Sequence, residues 1–262
     1  MPSTATPQPP ADDPGDPRHP AEAAARATGL ADLDRVVTDC RACPRLVEWR
    51  EETARTKRRA YQDWDYWARP IPGFGPPDAP LVLVGLAPAA HGANRTGRIF
   101  TGDPSGDLLY AALHDLGLAN RAESVRHGDG LELYGVRITD PVRCAPPDNK
   151  PSTVERDTCR PWITRELRLL RPTVRTVVAL GGFAWQALLP VVADAGWEVP
   201  RPRPAFGHDA RVTLPARDGG PPLRLYGCYH VSPRNTNTGR LTTAMLTGLL
   251  RDAARSAGLS PR

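Results

Sequence analysis

Apolar residues along the chain gather into short runs separated by longer stretches of helical spacing. The runs at 81–86, 136–139, 173–180 and 223–231 are largely apolar and read as strands. Between and after them, 105–118, 152–170, 183–195 and 240–257 carry the periodicity of amphipathic helices. Ser152, with Glu155 three positions on, has the spacing of a capping box at the start of the second helix. Strand and helix in alternation predict an α/β fold, a central, mainly parallel sheet flanked by helices in three layers. Ligands in such sheets sit beyond the carboxyl ends of the strands. That brings the loops after Leu86, Asp140 and His230 to one rim.

The ends of the chain differ from this core. Residues 1–20 are rich in Pro, Asp and Ala with almost no large apolar side chain, the composition of a disordered tail. Residues 21–262 then read as a single domain. Leu30, Leu33, Val36 and Val37 have helical spacing and lead into Cys40-Arg41-Ala42-Cys43-Pro44. A basic, aromatic stretch follows, up to a turn that starts at Pro70. No run approaches the roughly 18 apolar residues a membrane span needs. The N-terminus has no apolar core behind a charged start, so no secretory signal is expected. This makes the cytoplasm the expected compartment, with its thiols reduced.

The net charge of +5 is a modest excess that permits a polyanionic partner. With lysine only at 57 and 150, almost all the cationic charge is arginine, which suits phosphate recognition or simply reflects a GC-rich coding sequence.

Five cysteines add chemistry. Cys40 and Cys43 form a CxxC, Cys144 and Cys159 stand further along, and Cys228 lies within an apolar run, where a core role is expected. Four thiolates hold zinc or an iron–sulfur cluster. A zinc ribbon favours two CxxC knuckles, and only one is present. The alternative is a redox CxxC with the other cysteines as buried, inert thiols. But a thioredoxin-like redox pair follows a strand, whereas this CxxC ends a helix ahead of the first strand.

The three rim loops are polar. The first, 85–103, carries Gly92, Gly97 and Gly102, then Asp103 just before a helix, and matches neither GxGxxG nor a Walker loop. Phe100 within it is either a packing residue or a platform for a flat base. Asn149, in the second loop, pairs a donor with an acceptor as base-edge recognition requires, and is equally a turn former. His230 ends the fourth run, ahead of small donors and the cations Arg234 and Arg240. It is either a structural histidine, as a lone His more often is, or, at the same rim as two other polar loops, a residue facing a ligand with phosphates behind it.

Taken together, these residues resemble the uracil-DNA glycosylase superfamily, specifically the iron–sulfur group usually numbered family five. Residues 85–103 resemble its first motif and 230–242 its second, and the similarity runs from about Cys40 to the C-terminal helix. The resemblance implies a monofunctional enzyme that flips a deaminated base out of duplex DNA and hydrolyses its N-glycosidic bond, acting as a monomer. It implies that Cys40, Cys43, Cys144 and Cys159 hold a structural [4Fe-4S] cluster. It also implies that Phe100 stacks on the flipped base, that Asn149 reads its edge and that His230 faces its carbonyl. His91, Asn94, Arg234 and Asn235 fall in the same motifs as substrate contacts.

One departure from the founding family stands out. That family carries a water-positioning acid at the strand end, then Pro, then a bulky Tyr that excludes larger bases. Aligned on Pro88, this chain has Ala87 at the acid and Ala89 at the Tyr, the family-five pattern, which opens the wall to purines such as hypoxanthine. The expected catalysis then rests on His230, helped by Asn149, stabilising the departing anionic base, with Asp103 as the remaining loop acid. Removing one such donor costs about 3 kcal/mol. Lys150 is expected to contact phosphate. The rival readings are a non-catalytic iron–sulfur or zinc DNA-binding module, and a redox protein that would leave the His230 loop without a use.

Overall fold

The computed structural model describes residues 13–262. The elements run α1 His19–Arg26, α2 Leu30–Val37, α3 Pro44–Thr56, β1 Leu81–Val84, α4 Ala93–Thr96, α5 Pro104–Asp115 and β2 Val136–Thr139. They continue with α6 Thr153–Leu170, β3 Thr176–Leu180, α7 Gly182–Asp194, β4 Arg211–Leu214, β5 Leu223–Cys228, α8 Pro233–Thr236 and α9 Thr243–Ser256. Among the described residues the strands form one sheet in the order β2-β1-β3-β5-β4, parallel except for β4 at its edge.

Every residue of β1, β2 and β3 is buried, as expected for strands covered on both faces. Leu81 and Leu83 face a layer made by α5 and α9, while Val82 and Val84 face α1, α2, α6 and α7. The three-layer αβα arrangement follows. Register brings the strand exits level, with Val84 paired to Thr139 and Ala179, and Ala179 to Gly227. The segments after β1, β2 and β5 therefore emerge at one edge.

Local chemistry fixes the helix starts at this edge. Asp103 caps α5 by accepting from the Ser105 and Gly106 N–H groups, and Ser152 and Glu155 form the expected capping box on α6. The expected boundary at residue 20 falls inside α1. Residues 1–12 of the expected tail lie outside the described residues, but Asp16 is buried and α1 begins at His19. Ala23, Ala24 and Ala27 pack in the α6 layer, and Arg165 Nη2 donates to the Ala27 carbonyl at 2.6 Å, so small side chains rather than large ones anchor this helix. No helix among the described residues is long and apolar enough to cross a membrane.

Candidate active site

The three exits form a cleft lined by Ala87, Ala89, Phe100, Asp103, Asp140, Asn149, Lys150, His230 and Arg234. Phe100 is 8% exposed and holds a left-handed backbone, φ 51°. A strained residue of this kind persists only where its surroundings dictate it. Here Tyr110 Oη donates to the Ile99 carbonyl at 2.9 Å, and Arg95 Nη2 donates to that of Gly102 at 3.2 Å. Gly85 is required beneath the ring, because a Cβ there would lie 2.7 Å from Phe100 and 2.3 Å from Asp140 Oδ1. The rings of Phe100 and His230 have centroids 6.2 Å apart, so the two flank one space.

The acids of the cleft are held differently. Asp103 Oδ1 accepts from Ser105 N at 2.9 Å and Gly106 N at 3.3 Å, which fixes the carboxylate over the start of α5. Asp140, 2% exposed, has Oδ1 buried with no hydrogen-bond partner. Burial pushes its carboxyl up to about 8; Arg143 opposes the rise, and Asp103 and Glu166 add to it. Burial therefore favours the neutral acid, which has both a donor and an acceptor to offer. His230 is pulled below the usual imidazole range by burial, against the opposing field of Asp103, and is neutral as well.

Of the residues expected to bind substrate, the structure brings some together and not others. Ala87 lies in the wall and packs against Leu46, Val142 and Cys144, so an acid there would press on an apolar, thiol-lined cluster. Asn149 is exposed at the mouth with φ 55°, well outside the buried floor held by Asp140. His91 opens onto an adjoining pocket, with Nδ1 2.9 Å from Tyr66 Oη. Asn94 is 1% exposed and turned away, donating to the Arg50 carbonyl at 3.1 Å. Asn235 donates to the His230 carbonyl at 2.8 Å and braces that loop from behind. Asp140 was the residue missed; an Asp between a strand and Pro141 looks like a turn former, and only its burial marks it.

Beneath the rim, Cys40, Cys43, Cys144 and Cys159 line one pocket together with Leu46, Val47, Pro70, Arg143 and Trp162. Burial pushes Cys43 up to about 12 and Cys144 up to about 11, and raises Cys40 and Cys159 too. Arg50 Nη1 donates to Cys144 Sγ at 2.9 Å, and the Arg143 backbone N–H donates to Cys159 Sγ at 3.3 Å. Arg50 Nε and Arg143 Nε are buried donors without an acceptor. Among the described residues no three His, Cys, Asp or Glu side chains are grouped to hold a metal ion. Thiolates at the corners of a cluster stand farther apart than ligands sharing one ion. An apolar pocket with four thiols, Arg143 in its wall and Arg50 against Cys144 suits such an anionic group.

The family model for the uracil DNA glycosylase superfamily matches residues 72–254, which span the whole sheet and the three loops at its strand exits. The chain belongs to this superfamily. It is 52% identical to a type-5 uracil-DNA glycosylase of Mycobacterium bovis over 89% of this chain and 84% of that protein. It is 51% identical to the type-5 enzyme of Thermus thermophilus, over 86% of this chain and 97% of the relative. A type-4 uracil-DNA glycosylase of Pyrobaculum aerophilum is 34% identical over 61% of this chain. The expected superfamily and its α/β fold are thus borne out.

Proposed function

We propose that this protein excises uracil from DNA by hydrolysing the bond between the base and C1′ of the sugar, in base excision repair. The observation that carries this reading is the convergence of Phe100, Asp103, Asp140 and His230 on one cleft at the strand exits. A flipped base stacks on Phe100. The C1′–N bond breaks with its electron pair going to the base, water adds its oxygen to C1′, and the water's proton is released. Neutral His230 donates to the developing anion on the base without first having to lose a proton. The fixed Asp103 carboxylate stabilises the cationic sugar. Neutral Asp140 meets the C=O and N–H edge that deamination creates, and Asn149 closes over it from the mouth. The open wall at Ala87 and Ala89 supports entry of hypoxanthine and other damaged bases as well as uracil.

We further infer that Cys40, Cys43, Cys144 and Cys159 hold a [4Fe-4S] cluster. When bound, it ties the start of α3, the exit of β2 and α6 into one support for the rim. Purified protein should be brown, with four iron and four sulfide per chain, as the stoichiometry of that cluster requires. A colourless protein carrying zinc would replace this assignment. For the activity, duplexes with a single uracil or hypoxanthine should yield alkali-labile abasic sites. Binding without cleavage of either would return the protein to the class of DNA-binding modules.

A further inference from the structure

A second pocket adjoins the base cleft, and Ala89, Asp103, Asn149 and Arg58 line both. Its far wall is aromatic: Trp49 from α3, Tyr61 and His91. Trp49 is 36% exposed, one of the few large apolar side chains among the described residues left in solvent. The strap that carries Arg58 and Tyr61 is held in place by buried Arg95. The Arg95 guanidinium lies 3.9 Å from the ring of Tyr61 and 4.1 Å from that of Trp64, and its Nε donates to the His91 carbonyl at 2.8 Å. Arg58 is exposed and has no ion-pair partner among the described residues. It is close enough to His91 for its charge to help lower that imidazole, after burial.

We propose that this second pocket holds the nucleotide next to the flipped one on the same strand, its base against Trp49, with Arg58 taking the phosphodiester between the two. Continuity argues for this occupant. Two adjoining nucleotide-binding spaces with one unpaired cation lining both match two nucleotides joined by one phosphate. An aromatic wall suits any base, since stacking does not discriminate by sequence. The inference rests on the cleft being the base site, and its test does not need catalysis.

The test is equilibrium binding of full-length protein to a duplex with a tetrahydrofuran abasic analogue, across a range of salt concentrations. Trp49→Ala should weaken binding about tenfold, and Trp49→Phe should restore it. Removing the neighbouring base from the DNA as well should abolish the difference between wild type and Trp49→Ala. Arg58→Gln should reduce the slope of log K against log salt by about one phosphate's worth. An undiminished Trp49→Ala effect on the base-deleted duplex, or an unchanged slope for Arg58→Gln, would overturn the proposal. A protein that shows the expected binding but never cuts uracil would instead sink the catalytic reading and leave the second pocket standing.

Discussion

Glu166 and Asp140 are both buried carboxyls beside β2, and their surroundings are opposite. Glu166 accepts from Arg137 Nε at 2.5 Å and Thr139 Oγ1 at 2.6 Å, and is paired to Arg143 as well. Arg137 in turn holds Asp34 at 2.7 Å, which ties β2 to α2 and α6. Despite complete burial, Arg143 and Arg137 keep the Glu166 carboxyl well below the usual range. Asp140 lies one residue beyond β2 and has an oxygen with no partner. The cation whose charge opposes the rise, Arg143, is shared with Glu166, so burial wins and the neutral form is favoured. A buried charge with all its partners belongs to the scaffold. A buried polar atom facing a cleft without one is waiting for a ligand.

Removing the Glu166 charge should give the largest effect. Glu166→Gln leaves Asp34 as the only carboxylate partner of Arg137 among the described residues and takes from Arg143 its buried counter-charge, at a cost of about 3–5 kcal/mol. Thermal unfolding should show a large drop in Tm, while the folded fraction still binds abasic duplex. An unchanged Tm would break the contrast with Asp140 from the scaffold side.

Asp140→Ala should do the reverse. Single-turnover excision of uracil should fall about a hundredfold, with Tm held or raised. An unimpaired rate would remove Asp140 from the chemistry. The pH dependence sharpens the point. Because the folded carboxyl is raised to about 8, it is protonated in the folded protein where the unfolded chain would ionise it. Its contribution to stability is fully present only below the ordinary aspartate range, and is lost as pH rises through about 8. The donor is lost over the same alkaline limb, so excision should fall ~tenfold per pH unit above it. Asp140→Asn cannot titrate and should flatten that limb; a limb that persists would belong to another group.

The contrast also explains what the sequence could convey. Parallel strands, the capping box at Ser152 and Glu155, and the four cysteines are local patterns, and they were legible. The edge strand β4 was not, since Arg211, Val212 and Thr213 are exposed or half-exposed and only Leu214 is buried. Helix α1 was hidden because its alanines acquire meaning only against α6. Within the site, His230 was marked by its place at a strand end, whereas Phe100 and Asp103 were picked out by the family resemblance; all three line the same cleft. Asn94 was misplaced, because proximity along a loop does not say which way a side chain turns. The neutral state of Asp140 is a property of burial and of Arg143 being engaged elsewhere, and no short motif encodes either.

The smallest expected effect on uracil tests the open wall. Ala89 lines both the base cleft and the second pocket, and gives their shared wall only a methyl group. Ala89→Tyr puts a ring where a purine's second ring would lie, and leaves Phe100, Asp140 and His230 in place. Hypoxanthine excision should fall at least tenfold, the scale on which pockets discriminate by size alone, while uracil excision stays within a few-fold. A matched loss on both bases would mean that the tyrosine disturbs the shared catalytic floor. No loss on hypoxanthine would place the purine elsewhere than against this wall, and would separate breadth of substrate from the missing side chains at 87 and 89.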